Sequence, residues 1–154
     1  MKLQRFNGDE LFNVETATVD YYVEEDGKFA TTFRADAATP AIETLSDTIE
    51  LHAKPFTEIM LSLTKHPGVA LLAGRSYSLS HGLDDASGEH LTNFYYYEHE
   101  LMHNIEITVI KRHLDRAQLR ITGTITDVNC YDGSKPPAKV IIDAEFTLTF
   151  AGQS

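Results

Sequence analysis

Two histidines stand four residues apart in His99-Glu100-Leu101-Met102-His103, with an acid directly after the first. On a helix, residues i and i+4 lie one above the other, so both imidazoles could bind one zinc ion while Glu100 polarised a bound water for hydrolysis. A second group, Asp127-Val128-Asn129-Cys130-Tyr131-Asp132-Gly133, gathers oxygen donors around a turn glycine, the composition of a calcium-binding loop. In a third, Gly74-Arg75-Ser76-Tyr77-Ser78, a serine follows an apolar run over residues 69–73, as a nucleophile at a strand end would. Each of these chemistries depends on the secondary structure that carries the residues.

For the histidine pair the periodicity is that of a strand. The odd positions Tyr95, Tyr97, His99, Leu101, His103, Ile105, Ile107 and Val109 form a mainly apolar face, and Glu98, Glu100, Asn104, Glu106 and Thr108 alternate with them. Three consecutive tyrosines and a β-branched run favour the same conformation. At a rise of ~3.3 Å per residue, two strand residues four apart are roughly 13 Å apart, several times the ~2 Å of a Zn–N bond. The pentapeptide resembles the zincin metallopeptidases over these five residues only. That resemblance implies a zinc-dependent hydrolase with His99 and His103 as ligands, Glu100 as base and a helix over residues 94–104. A metzincin-like extension needs Gly and His where this chain has Glu106 and Val109. For a gluzincin-like third ligand, the downstream acids Asp115, Asp127, Asp143 and Glu145 fall in turns or strands. The strand reading assigns no catalytic residue, no metal ligand and no cofactor. It puts His99 and His103 on the apolar side and Tyr96, Glu98 and Glu100 on the wet side, where paired acids can meet a basic group.

The donor-rich segment is similar to the start of an EF-hand loop, with one additional residue before Asp132-Gly133 and Ala138 where the bidentate Glu belongs. Read as a β-turn, it has Asp127 and Asn129 bonding nearby amides and Pro136-Pro137 stiffening the return. Asp127, Asn129 and Asp132 remain candidates for ligand binding. The serine segment looks like the nucleophile elbow of α/β-hydrolases over roughly ten residues, with Ser78 replacing the last glycine. That fold requires a parallel sheet, which the antiparallel pattern of this chain opposes.

The elements needed to position these residues are strands almost throughout. Val140, Ile142, Ala144, Phe146, Leu148 and Phe150 alternate with Asp143, Glu145, Thr147 and Thr149, and Leu119, Ile121 and Ile125 alternate with Arg120, Thr122 and Thr124. Gly123 marks a bulge or a close backbone approach. Leu114-Asp115-Arg116-Ala117 connects two strands, so the last three form an antiparallel meander. Residues 14–23 and 29–35 form a hairpin about Asp26-Gly27, and 48–53 is another strand. Residues 56–64 suit either a strand or one short helix, Thr39-Pro40 suits a brief helical turn, and 84–92 suits a surface loop. The expectation is a single all-β domain over residues 1–154, an antiparallel β-sandwich or β-barrel.

Composition narrows the function. A net charge of −10 on 154 residues, with scattered Lys and Arg, opposes nucleic-acid binding. No stretch approaches the ~20 apolar residues of a membrane helix, the N-terminus lacks a secretory h-region, and one cysteine permits no intramolecular disulfide. A cytoplasmic binding or protein-interaction domain is therefore expected, with a basic partner met at Tyr96, Glu98 and Glu100 and at the loop of residues 127–135. A homodimer through exposed sheet edges is a further expectation. Alternatives are the zinc hydrolase and a small-molecule carrier with His99 and His103 on its inner wall.

Overall fold

The fold is known from a computed structural model that describes residues 1–23, 29–37, 43–44, 57–62, 71–79, 92–96, 98–127 and 132–150. It is all β. The strands are β1 (Lys2–Arg5), β2 (Gly8–Leu11), β3 (Val14–Val23), β4 (Phe29–Ala37), β5 (Glu43–Thr44), β6 (Thr57–Ser62), β7 (Ser76–Leu79), β8 (Thr92–Tyr96), β9 (Glu98–Glu100), β10 (His103–Arg112), β11 (Arg116–Ile125) and β12 (Ala138–Phe150). Among the described residues there is no helix, and Thr57–Ser62 takes the strand option. The expected turns at Asp26-Gly27 and Thr39-Pro40, the strand at 48–53 and most of the loop at 84–92 lie outside the described residues.

All twelve strands belong to one hydrogen-bonded sheet with β12 as its spine. One edge of β12 carries β11 in unbroken antiparallel register from Ala138 to Thr147, and β10 and β7 follow outward. Residues 103–150 thus contain the expected meander, with the His113 amide donating to the Arg116 carbonyl (2.8 Å) in the first turn. The other edge of β12 is shared. Lys139 to Ile141 pair antiparallel with β1, and Thr147 to Phe150 pair parallel with β3. From β3 the sheet continues through β4, β6, β8 and β9; from β1 it continues through β2 and β5. Among the described residues this path does not close into a barrel.

Alternation decides what the sheet buries. In β12 Val140, Ile142 and Phe146 are fully buried, as are Leu119 and Ile121 in β11, while Arg120, Asp143 and Glu145 face water. These side chains share one core with Leu3, Val19, Phe33 and Phe94 from the other arms, so the sheet curls around a common interior. Gly123 sits where packing is close. A Cβ there would lie 2.5 Å from the Met102 methyl and 3.3 Å from both the His103 carbonyl and Ile105 Cγ1.

Candidate functional site

The histidine pair is not on a helix and not on one strand. Tyr96 pairs with Glu98, Tyr95 with His99 and Phe94 with Glu100, so β8 and β9 form a tight antiparallel hairpin. The chain then leaves the ladder at Leu101 and Met102 before His103 opens β10. This corrects the expectation of a single strand through residues 95–109. The helix that zinc chemistry would require over 94–104 is replaced by parts of three strands.

The cause of the correction is a switch of parity. Buried positions are even-numbered up to this corner, at Thr92, Phe94 and Met102, and odd-numbered beyond it, at Ile105, Ile107 and Val109. The switch falls on His103 and Asn104, both exposed, where Asn104 takes a left-handed φ of 50° and the β10–β11 register slips between His103 and Glu106. An extra residue in one strand of an antiparallel pair turns the following side chains over. His103 is therefore solvent-facing, not on an apolar wall as expected. Met102 anchors the corner: its amide donates to Thr92 Oγ1 (3.0 Å) and its carbonyl accepts from the same hydroxyl (3.2 Å).

The expected ligand residues separate. Tyr96 and Glu98 occupy the β8–β9 hairpin, and Glu100, half-buried and partnered, stands opposite the core residue Phe94. Asn129 lies outside the described residues. Asp132 is exposed and its carboxylate accepts the Ser134 amide at 2.9 Å; hydrogen bonds from the side chain and amide of Ser134 hold its pKa below the usual carboxylate value. Asp127 is buried, and its two oxygens accept a bidentate pair from Arg5 Nε and Nη2, both at 3.0 Å. Arg5 Nη1 also reaches Glu10 Oε1 at 3.5 Å, and the three side chains are 2%, 0% and 0% exposed. The triad ties the β1–β2 hairpin to the start of the β11–β12 connection, which also places Lys135 Nζ 5.1 Å from the centre of the Phe6 ring. The sequence signal for it was available. Arg5 shares parity with Leu3, and Glu10 with Phe12, so charges occupied core positions in both strands. Ser76 begins β7 and exchanges a hydroxyl hydrogen bond with Thr108 (3.1 Å) on a sheet edge, not at a strand-to-helix elbow. Among the described residues no three His, Cys, Asp or Glu side chains converge as a metal site would.

A different place has the shape of a binding site. Between Ile141, the last partner of β1, and Thr147, the first partner of β3, residues 142–146 of β12 have no strand on that edge among the described residues. β3 pairs with β12 only from Thr18 onward, and its pairing with β4 is irregular between Val14 and Thr16. A cleft of about 320 Å³ fills the split, with Val14, Glu15 and Ala17 on one side and Asp143, Ala144 and Glu145 on the other. It adjoins a groove of about 520 Å³ over the outer face, lined by Lys2, Arg120, Thr122, Lys139 and Ile141, and the two share Met1, Phe12 and Asp143. These volumes fall in the ~300–1,000 Å³ range of ligand clefts. Ala17 and Ala144 are half-buried at the split, whereas Val19, Ile142 and Phe146 beside them are sealed.

Most charges at the cleft are paired. Arg120 forks onto Asp143 at 2.7 and 3.2 Å, Arg116 meets Glu145 at 3.1 Å, and Lys2 meets Asp9 at 2.8 Å. Glu15 and Lys139, both exposed, form no ion pair or side-chain hydrogen bond with another described residue. The Met1 ammonium donates to the Phe12 carbonyl (2.7 Å); burial lowers its pKa, and the nearby Asp143 charge acts in the opposite sense. No protein-family model matches the chain, and comparison with curated proteins and with solved structures likewise finds no match.

Proposed function

We propose that this chain is a protein-binding domain that receives a partner at the split between β1 and β3 along β12. The carrying observation is the cleft itself, an interrupted sheet edge opening onto half-buried alanines, with one uncompensated acid, Glu15, in its lining and one uncompensated base, Lys139, in the adjoining groove. Binding sites concentrate where a rigid scaffold leaves concave, partly apolar surface with a few polar groups. The acidic balance of the chain favours a partner whose approaching surface is basic.

Two other readings have less support. Zinc hydrolysis needs a helical 99–103, and that backbone is extended and bent. A carrier needs a hollow interior, and the described interior is filled by sealed side chains from β1, β3, β4, β8, β10, β11 and β12.

A photoreactive amino acid introduced at Ile141 tests the proposal in the native host. A specific protein should be captured from that position, but not from a probe at Leu114, which is 91% exposed on the β10–β11 turn. Capture should fall on combined reversal of Glu15 and Lys139. Equal capture from both probe positions, or capture indifferent to the reversals, would remove the cleft from the proposal.

A further inference from the structure

Strand pairing itself indicates the kind of segment that the cleft would take. The Leu148 amide donates to the Asp115 carbonyl (2.8 Å), on the β11 side of β12. The β11–β12 register is unbroken, so even-numbered residues of β12 direct their main-chain groups to β11 and odd-numbered ones to the other edge. Ile141 and Thr147 find ladder partners on that edge in β1 and β3, while Asp143 and Glu145, between them, have none there among the described residues. An unfilled stretch of ladder is a template for an added strand.

Charge gives the added strand a sequence preference. Once the internal pairs are discounted, Glu15 remains at the cleft and Lys139 at the far end of the groove. Glu15 and Glu145 line the same cleft, and Glu145 stands six residues along β12 from Lys139, roughly 20 Å at ~3.3 Å per residue.

Resting on the binding role argued above, we infer that the cleft takes an extended segment of a partner protein. Its main chain extends the ladder at Asp143 and Glu145 and then passes onto the groove of the outer face, because β1 occupies the edge from Lys139 to Ile141; a Lys or Arg side chain meets Glu15, and an Asp or Glu about six residues away meets Lys139. The half-buried Ala17 and Ala144 leave room for a small or β-branched side chain between the two charges.

A library of random nine-residue peptides selected on the full-length chain tests this, followed by synthesis of the best binder with N-methyl groups introduced residue by residue. Selected sequences should carry opposite charges about six positions apart. Glu15→Lys, at an exposed site, should weaken the best binder about tenfold, the scale of one lost charge-assisted hydrogen bond, and charge reversal of the peptide's basic residue should recover part of that. N-methylation should weaken binding about tenfold at alternate residues only, because only alternate amides reach β12. If binding competes with the Ile141-captured partner yet ignores every N-methyl group, strand addition is wrong while the cleft keeps its role. If no selected peptide responds to Glu15→Lys or competes with that partner, both fail. If probes at Ile141 cross-link two copies of this chain, the occupant is the protein itself and the heterologous segment is excluded.

Discussion

The buried triad makes a prediction whose sign separates two accounts of how it acts. Arg5 holds both oxygens of Asp127 at 3.0 Å and one of Glu10 at 3.5 Å, with no side chain of the three more than 2% exposed. Replacing Arg5 by Met keeps most of the volume and removes the one cation among the three, leaving two carboxylates in the interior. Breaking a buried pair from one side costs about 3–5 kcal/mol because the stranded charge has lost its solvent and its partner. For a chain of this length that corresponds to a melting temperature roughly 6–20 °C lower. Asp127→Leu alone should cost less, since Arg5 keeps Glu10. The decisive variant is the double Arg5→Met/Asp127→Leu, which should be more stable than Arg5→Met alone by about 1–3 kcal/mol, because the second substitution removes a charge that the first one stranded. Urea unfolding at fixed pH reads all four states of the cycle, with equal m values as the check on comparability. If the two single effects add to within about 0.5 kcal/mol, the carboxylate and the guanidinium are not coupled and the argument fails.

Other substitutions test the corner and the loop. Thr92→Val removes the hydroxyl that both donates to and accepts from Met102, and should cost about 1–3 kcal/mol and speed hydrogen exchange at the Met102 amide. Gly123→Ala drives a Cβ against the Met102 methyl and should cost about 1–3 kcal/mol in thermal unfolding; Met102→Ala should be less damaging in that background than in the parent. The depressed Asp132 carboxyl contributes stability above its unfolded pKa, ~3.9, and loses it as pH falls through the lower folded value. The stability difference between the parent and Asp132→Asn should therefore shrink on acidification below about pH 4, and a carboxyl titration by NMR should place Asp132 under the ordinary aspartate value.

The legible parts of this fold are those whose information is local. Alternation over residues 119–125 and 140–150 identified most of β11 and β12 and their buried faces, because a strand with one wet side writes its register directly into residue type. The same rule failed across residues 95–109, and for a physical reason. Apolar and polar residues alternate there almost without interruption, yet the chain reverses between Tyr96 and Glu98, leaves the ladder at Met102 and slips register at Asn104. The reversal between Tyr96 and Glu98 leaves parity intact and is therefore invisible to a period-two count. The slip at Asn104 reverses parity, and Met102 was the visible clue, an apolar residue at a position assigned to water.

The triad and the cleft were illegible for a different reason: both are made by pairings distant in sequence. Arg5 and Asp127 are 122 residues apart, and no local pattern states that a charge at the end of β1 meets one just beyond the end of β11. The cleft arises from two pairings, Lys2 with Ile141 and Thr18 with Thr147, whose positions along β12 leave residues 142–146 without a partner on that edge among the described residues. Nothing in the β12 sequence distinguishes its occupied edge from its open one, since Asp143 and Glu145 alternate with apolar neighbours as Lys139 does. Only the small size of Ala144, among the larger Ile142, Phe146 and Leu148, departs from the pattern. Its meaning depends on Ala17, 127 positions earlier, lining the facing side of the same opening. If the cleft is a recognition site, enlarging either alanine should weaken peptide binding at little cost to folding, because the space entered is open to solvent. If those alanines serve only to pack the core, Ala144→Val should fill an edge void and stabilise the fold without affecting binding.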